Sequence, residues 1–319
     1  MRLPLTLPPP GSRSFDVVGF GQNSVDLLAV IRDYPAPDSH VRAERLIRMP
    51  GGEVATAIVT CARLGCHTRY IGAIGKDDNG AVVEARLREE GVDLEYVLRV
   101  DAPNRFAFIL VDAAGHRTVI WHRDRSLEQL AGVIDRRAAA SGRVLLVDAS
   151  DPDGSAAAAS AARAAGSPVV IDVDEFDPRL EPLLRSADVV IASASFFTAY
   201  ARDAGIGDGL RRLVSEFRPA MAVATLGPEG SLALCEGQEI RTLAFTVPVV
   251  DSTGAGDAFR GGFAASWLRF GEDTPVADLL RYASGIAALN CQALGAQTGL
   301  PVWADVDRLV TGQGDGRSK

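Results

Sequence analysis

Cysteine is scarce in this chain, with four residues among 319: Cys61, Cys66, Cys235 and Cys291. None forms a CxxC pair, and each lies in an apolar pattern. A disulfide-dense secreted scaffold and a cysteine-rich zinc site are therefore excluded. The pattern indicates reduced cysteines in the core of a cytoplasmic protein.

Long apolar runs and excess positive charge are also missing. No run reaches the roughly 18 residues that a membrane span needs. Lysine and arginine number 33 against 41 aspartate and glutamate, a net charge of −8. Nucleic acid and anionic membranes are thus unlikely partners on electrostatic grounds, although a small anion remains compatible. The four histidines, His40, His67, His116 and His122, have no metal-ligand spacing.

What is present fits one large α/β domain. Hydrophobic residues make up 47% of the chain, an ordinary globular share. The proline-rich residues 1–14 are expected to form a flexible arm, and residues 312–319 a flexible tail. This leaves residues 15–311 for the domain.

Hydrophobic patterning gives the expected architecture. Strands are predicted at 15–21 and 68–75, and helices at 53–65 and 79–91. After residue 129, helical segments alternate with short apolar strands, which is typical of a parallel sheet covered by helices on both faces. The predicted strands of this part are 143–149, 168–173, 187–193 and 220–227. Extra strands within about 25–50 and 105–122, the latter around a "DAAG" turn, are predicted to form a small lid.

The stretch "VVDSTGAGDAF" (249–259) places glycines and Asp257 at the start of a long helical pattern. A helix N-terminus carries unpaired N–H groups and partial positive charge, so a glycine lead-in favours phosphate. A carboxylate there can accept the proton of an attacking hydroxyl. The alternative is that Asp257 only caps the helix.

The heptapeptide "DSTGAGD" (251–257) resembles the C-terminal signature of PfkB, or ribokinase-like, carbohydrate kinases, with Ser252 where threonine is usual. Four other segments resemble family motifs in the same order: "GQNSVD" (21–26), "GGEVATAIVTCARLG" (51–65), "TLGPEGS" (225–231) and "GAQTGLP" (295–301).

The resemblance implies an α/β ribokinase-like three-layer sandwich, with a mostly parallel central sheet and a small β lid. It also implies ATP-dependent phosphoryl transfer to a sugar hydroxyl, with Mg²⁺ bridging the phosphates. Asp257 would be the general base, and the N–H groups of Gly254, Ala255 and Gly256 would hold the developing charge. A monovalent cation such as K⁺ would bind near Asp251.

Further site residues follow from the same resemblance. Those expected to bind the sugar are Asn23, Asp26, Gly51, Gly52, Glu53 and Thr56. Those expected to bind the nucleotide are Thr225, Gly227, Gly230 and Ser284. Lid strands in this family often pair between subunits, which implies a homodimer.

Three features depart from the family pattern. Thr56 stands where Asn is common, and Glu53 where Asn, Gln or Lys is frequent, so both are expected to affect substrate choice. The usual Asn-x-x-Glu motif is missing from 191–200, where Ser193 takes the Asn position. Other segments resemble the ketohexokinase-like and sulfofructose-kinase-like branches, which favours a fructose-type ketose over ribose or a nucleoside.

Two other functions stay open at this point. "VVGFGQNS" (17–24) nearly matches the dinucleotide-binding G-x-G-x-x-G, but Ser24 replaces the third glycine and a strand pattern follows. A non-catalytic sugar- or nucleotide-binding member is the other alternative, against which the intact Asp257 argues. Arginines in the lid segments could meet an anionic group or simply be solvated: Arg42, Arg45, Arg48, Arg105, Arg117, Arg123 and Arg125.

Overall fold

The computed structural model describes residues 1–113, 116–128, 130–202 and 204–312. The first half contains β1 (Phe15–Phe20), β2 (Ser24–Val30), β3 (Arg45–Gly51), α1 (Glu53–Arg63), β4 (Thr68–Gly75), α2 (Asp78–Glu89), β5 (Val97–Val100), β6 (Phe106–Val111), β7 (Arg117–His122), α3 (Arg136–Ala139), β8 (Gly142–Val147) and α4 (Pro152–Ala164). The second half contains β9 (Val169–Val173), α5 (Glu181–Arg185), β10 (Val189–Ser193), α6 (Ala194–Tyr200), α7 (Ile206–Phe217), β11 (Met221–Thr225), β12 (Ser231–Cys235), β13 (Gln238–Thr242), α8 (Ala255–Phe270), α9 (Val276–Asn290) and α10 (Trp303–Gly312).

The central sheet has nine strands within the described residues, in the order β13-β12-β11-β10-β9-β8-β1-β4-β5. Only β12 and β13 run antiparallel to their neighbours, which confirms the predicted mostly parallel sheet. Its inner strands are short, β-branched and buried on both sides, as β9 and β10 illustrate. Such strands can only be stable when helices cover both faces.

Two apolar clusters occupy those faces. Neighbouring residues of β1 point to opposite sides, so Val17 joins one cluster with α1, α8 and α9, whereas Val18 joins the other with α4 and α7. This arrangement is the predicted three-layer sandwich. It brings the carboxyl ends of β1, β8, β9, β10 and β11 to one edge, the usual ligand edge of an α/β sheet.

The lid is a separate four-stranded sheet of the described residues, in the order β3-β2-β6-β7. Leu28 and Ile109 lie in register and share a face with Leu294 of the main domain in a small apolar cluster. The predicted lid segments are thereby confirmed as strands. Ala114 and Gly115 of the "DAAG" turn lie outside the described residues.

The N-terminal segment differs from the expected flexible arm. Leu3 and Leu7 are buried in the main core cluster, and the N–H of Val276 donates to the carbonyl of Met1 (3.0 Å). Two leucines among prolines give this segment enough apolar surface to pack on the domain. Residues 313–319 of the expected tail lie outside the described residues. No helix in the described ranges has both the length and the apolar character to cross a membrane.

Candidate active site

The glycine turn takes the shape that only glycine allows. Gly254 caps α8 with φ of 75°, in the left-handed region that other residues rarely adopt. A Cβ on Gly254 would lie 2.6 Å from the carbonyl oxygen of Ala296. By contrast, a Cβ on Gly256 would meet only the Arg260 guanidinium, at 3.8 Å. Open space therefore lies in front of Gly256.

The start of α8 presents unused donors to that space. Among the described residues, the N–H groups of Gly254, Gly256 and Asp257 have no hydrogen-bond partner. The N–H of Ala255 was expected to join them, but it donates to the carbonyl of Ser252 (3.2 Å) and closes the turn. The donors of the turn that have no partner are thus the N–H groups of Gly254, Gly256 and Asp257, where the helix dipole also favours negative charge.

Asp257 is held by an arginine one turn further along the same helix. Arg260 is buried and forms ion pairs with Asp257 and with Asp172 at the end of β9. Burial raises the pKa of Asp257 to about 7, against the lowering effect of Arg260, and Asp174 and Asp26 raise it further. A carboxyl whose pKa lies near neutrality is suited to accept a proton.

The four expected nucleotide residues line one cleft, with a volume of about 590 Å³, beside the glycine turn. Gly230 has φ of 92°, and a Cβ there would lie 1.9 Å from the carbonyl oxygen of Thr242. Gly256 and Phe259 of α8 form one end of the cleft. Apolar side chains cover most of the rest, which suits a flat base with phosphates directed at the α8 N-terminus. The cleft walls include Thr225, Gly227, Gly230, Phe245, Val247, Ser284 and Ala287.

Among the expected sugar residues, Asp26 is near enough to Asp257 to interact with it electrostatically. Asp26 is buried, and the hydroxyl of Ser24 donates to it (2.9 Å). Burial raises the pKa of Asp26 to about 6, although Ser24 and the guanidinium groups of Arg105 and Arg117 lower it. A Cβ on Gly51 would lie 2.4 Å from the Asp26 carboxylate, so this glycine makes room for it.

Asn23 and Gly52 form the adjoining wall. The amide of Asn23 donates to the hydroxyl of Tyr70 (2.9 Å) and to the carbonyl of Ala73 (2.7 Å). Its Oδ1 is buried and has no partner among the described residues. Gly52 has φ of 95°, and a Cβ there would lie 2.4 Å from the Cα of Asn23. The unpaired oxygen is free to accept a bond from a hydroxyl.

The two unusual positions, 53 and 56, differ in their surroundings. Glu53 begins α1 and is partly exposed. Thr56 has no exposed surface, and its hydroxyl accepts a hydrogen bond from Gln297 (3.2 Å). Thr56 therefore supports the wall behind the site, because α8 and the loop at Gln297 cover it. The expected contact of Thr56 with sugar stays a prediction.

The carboxylate of Asp251 links two loops through hydrogen bonds. One carboxylate oxygen accepts bonds from the N–H (2.9 Å) and hydroxyl (2.8 Å) of Thr253, and the other accepts from the N–H of Gly295 (2.8 Å). Within the described ranges no three His, Cys, Asp or Glu side chains form a metal-binding group. These contacts fix the Asp251 carboxylate between the two loops.

The arginines of the lid segments make different contacts. Arg117 reaches across to the hydroxyl of Thr253 (3.2 Å). Arg123 pairs with Glu128, and Arg105 lies over the ring of Trp121 (5.3 Å). Arg48 donates to Asn79, and the remaining three side chains are exposed: Arg42, Arg45 and Arg125.

Ser193, at the position of the missing asparagine, caps α6. Its hydroxyl accepts a bond from the N–H of Phe196 (3.3 Å), and it lies in register with Thr225 of the next strand. The dinucleotide-binding alternative fails nearby, because the chain after Gly21 enters β2 and forms no phosphate-binding helix.

Sequence reasoning missed Arg260 and Asp172. The available signal was the spacing of three between Asp257 and Arg260, which places both on one helix face. Asp172 gave no signal, since it is an acidic residue near the end of an apolar strand, 88 positions before its partner Arg260.

The profile of the PfkB family, described as pfkB family carbohydrate kinase, matches residues 15–303. A fructokinase from Klebsiella pneumoniae is 33% identical over 287 residues, covering 83% of this chain and 93% of that protein. A nucleoside kinase from Methanothermobacter thermautotrophicus is 26% identical, covering 95% and 97%. This chain belongs to the PfkB family and is a carbohydrate kinase.

Solved structures agree on the fold. A fructokinase with bound ATP from Xylella fastidiosa superposes with a TM-score of 0.81 at 23% identity, covering 94% of this chain and 99% of that one. A structure from Escherichia coli, described as a ribokinase II in complex with ATP and Mg²⁺, gives 0.78 at 19% identity, covering 93% and 99%. The ribokinase-like α/β fold is therefore established for this chain.

Proposed function

We propose that this kinase transfers the γ-phosphate of ATP to a hydroxyl of a fructose-type ketose. The observation that carries the proposal is the position of Asp257, between the unpaired N–H groups of the glycine turn and the carboxylate-lined sugar side. A hydroxyl placed there would have a base on one side and a phosphate held by the turn on the other.

Each group has a defined task in this proposal. Asp257 accepts the proton of the attacking hydroxyl, and Asp26 and the Asn23 side chain orient the acceptor. The N–H groups of Gly254, Gly256 and Asp257 face the charge on the transferred phosphoryl oxygens. Mg²⁺, when bound with ATP, neutralises phosphate charge, and the absence of a three-ligand protein group agrees, in the described residues, with a metal held mainly by phosphates.

A fructose-type acceptor is supported by the fructokinase from Klebsiella pneumoniae, whereas the nucleoside kinase supports the alternative acceptor class. Similarity of this chain to the ketohexokinase-like and sulfofructose-kinase-like branches remains a prediction. Activation by K⁺ bound near Asp251 also remains a prediction. A coupled assay for ADP over ketoses, aldoses, sugar acids and nucleosides separates these classes. Turnover of nucleosides in preference to every ketose would contradict the proposed acceptor.

The base is tested with Asp257→Asn. We expect kcat to fall by about 10²–10⁴-fold while ATP still binds. Asp278, an exposed carboxylate in the first turn of α9, is the matched control because it is only a helix-start residue. Equal, small effects of Asp257→Asn and Asp278→Asn on kcat would mean that Asp257 is a cap and not a base.

We also propose that the lid pairs with a second copy of the chain. Its outer face exposes Leu46 (69%) and Ile120 (59%), with the half-buried Phe108 between them in the sheet, and contiguous apolar surface favours association. Sedimentation of Ile120→Asp should give a monomer. Leu98→Asp, at an exposed apolar position of β5, is the control and should sediment as the unmodified protein does.

A further inference from the structure

Asp257 is the outer end of a row of three charged side chains. Arg260 lies one turn further along α8, and Asp172 lies in β9, in register with Ile191 of β10. The exposed fraction of the side chain decreases from 14% for Asp257 to 10% for Arg260 and 2% for Asp172. The row therefore leads from the site into the central sheet.

The two terminal nitrogens of Arg260 bind different carboxylates. Nη2 donates to Oδ1 of Asp257, and Nη1 pairs with Oδ1 of Asp172. Because a guanidinium group is planar and rigid, the position of one carboxylate restricts that of the other. Among the described residues Asp172 accepts no other hydrogen bond, and its strand lies between β8 and β10 in the sheet. Asp172 is thus a fixed anchor for Arg260.

The two oxygens of Asp257 differ in their surroundings. Oδ1 is occupied by Arg260, whereas Oδ2 accepts no hydrogen bond within the described residues. The last torsion of an aspartate side chain is only broadly restricted, so an unbound carboxylate can rotate. A base works best when one oxygen is held and the other is open to the proton. The contact with Arg260 provides this arrangement.

Other charged groups surround the row, and those that face Asp257 have the opposite effect to Arg260. Asp174, which follows β9, and Asp26 of β2 raise the pKa of Asp257, whereas Arg260 lowers it. Glu53 of α1 and Asp174 also face Arg260. Loss of Arg260 should therefore raise the pKa of Asp257, and loss of either acid should lower it.

We propose that Arg260 is a positioning residue for the base: anchored to the sheet by Asp172, it holds Oδ1 of Asp257 and leaves Oδ2 directed at the reacting hydroxyl. This inference rests on the proposed function, because it takes Asp257 as the base. In this role Arg260 acts through Asp257 and contacts neither substrate. Its loss should therefore affect the chemical step much more than the binding of ATP or sugar.

Steady-state kinetics of Arg260→Lys in the full chain give the first test. Lysine keeps a cation beside Asp172, but an ammonium group cannot hold two carboxylates as a guanidinium does. We expect kcat to fall by about tenfold through misplacement of the base, and both KM values to change by less than about twofold. Arg269→Lys, on the same helix and paired with Asp307, is the matched control and should keep the kcat of the unmodified enzyme.

Two results of this experiment would overturn the positioning role. One is an unchanged kcat in Arg260→Lys. The other is a KM for ATP that rises as much as kcat falls, which would mean that Arg260 contacts the phosphates. The second result is a real alternative, because Nη1 lies 3.8 Å from the place of a Cβ on Gly256, beside the open space in front of the turn.

The pH profile gives a result that a purely structural role would not produce. Arg260→Met removes a cation that lowers the pKa of Asp257. The acid limb of kcat/KM, measured per folded molecule, should therefore move from about pH 7 to higher pH by about one unit or more. In Arg260→Lys the charge is kept and the limb should stay in place. A limb at the same pH in Arg260→Met and in the unmodified enzyme would contradict the contact with the base.

The anchor is tested with Asp172→Asn, alone and combined with Arg260→Met. Alone, it should lower kcat by about tenfold, because Arg260 loses its attachment to the sheet. Added to Arg260→Met, it should change kcat by less than about twofold, because Asp172 acts through Arg260. Equal losses from Asp172→Asn in both backgrounds would mean that Asp172 acts independently, and the proposed row would be wrong.

Failure of the proposed function would give a different pattern. If Asp257→Asn retains kcat, Asp257 is not the base and the positioning role fails with it. If Asp257→Asn loses kcat while Arg260→Lys and Asp172→Asn keep it, the positioning role alone fails. If nucleosides are the preferred acceptors, the proposed acceptor class is wrong, and the same variants test Arg260 with a nucleoside as substrate.

Discussion

Arg117 of the lid donates a hydrogen bond of 3.2 Å to the hydroxyl of Thr253 in the loop that leads into the glycine turn. Thr253 in turn donates to Asp251, so a lid strand is connected to the loop that precedes α8. The lid is thus linked to the glycine turn by side chains as well as by the apolar contact at Leu294.

We expect Arg117→Ala to lower kcat/KM by about tenfold, because a hydrogen bond from a charged group contributes about 1.5–3 kcal/mol and this one is partly exposed. Steady-state kinetics with saturating ATP measure the change. Thr118→Ala, on the same strand with an exposed side chain, is the control. Equal kinetics for both variants would mean that the lid contact does not assist catalysis.

The pH dependence of catalysis should follow Asp257. A base must be ionised, and burial raises the pKa of Asp257 to about 7. The protonated, inactive fraction therefore grows as the pH falls, and kcat/KM should drop by about tenfold per unit below about pH 7. Asp26→Asn serves as the control, because it should keep this acid limb near pH 7 even though sugar binding weakens. A limb that disappears in Asp26→Asn would assign it to Asp26.

Substitutions at Gly254 and Gly256 should have different effects, the first on stability and the second on turnover. Gly254→Ala puts a Cβ against the carbonyl of Ala296 at a positive φ, so its free energy of unfolding should fall by more than about 1 kcal/mol. Gly256→Val fills open space before the helix N-terminus. The unfolding midpoint of this variant should not change. Its turnover should fall by at least about a hundredfold, because the new side chain would keep phosphate away from the N–H donors. A destabilised Gly256→Val with normal turnover per folded molecule would contradict this assignment.

Arg260→Met should destabilise the protein by about 3–5 kcal/mol at neutral pH, because Asp172 and Asp257 lose a shared buried counterion. The loss should shrink as the pH falls toward about 5, since both carboxyl groups have raised pKa values and protonate on acidification. Denaturant unfolding at several pH values measures both effects. Arg269→Met removes a more exposed pair with Asp307 and should cost less than about 1 kcal/mol. A pH-independent loss in Arg260→Met would indicate a packing effect instead.

The sequence was enough to predict the layered fold and the glycine turn at the start of α8. Buried parallel strands have a two-sided apolar pattern, and the segment 68–75 matches β4 at both ends. Gly254 and Asp257 were recognisable because their roles depend on backbone conformation and on position in a helix, both of which are local properties.

Tertiary structure decided what depends on distant partners. It placed the Thr56 hydroxyl against Gln297 and packed Leu3 on the core. It also brought Asp172 to Arg260. The ionisation of a carboxyl is set by the charges and burial that surround it in space. For Asp257 those surroundings include Asp174 and Asp26, which lie far from it in the chain.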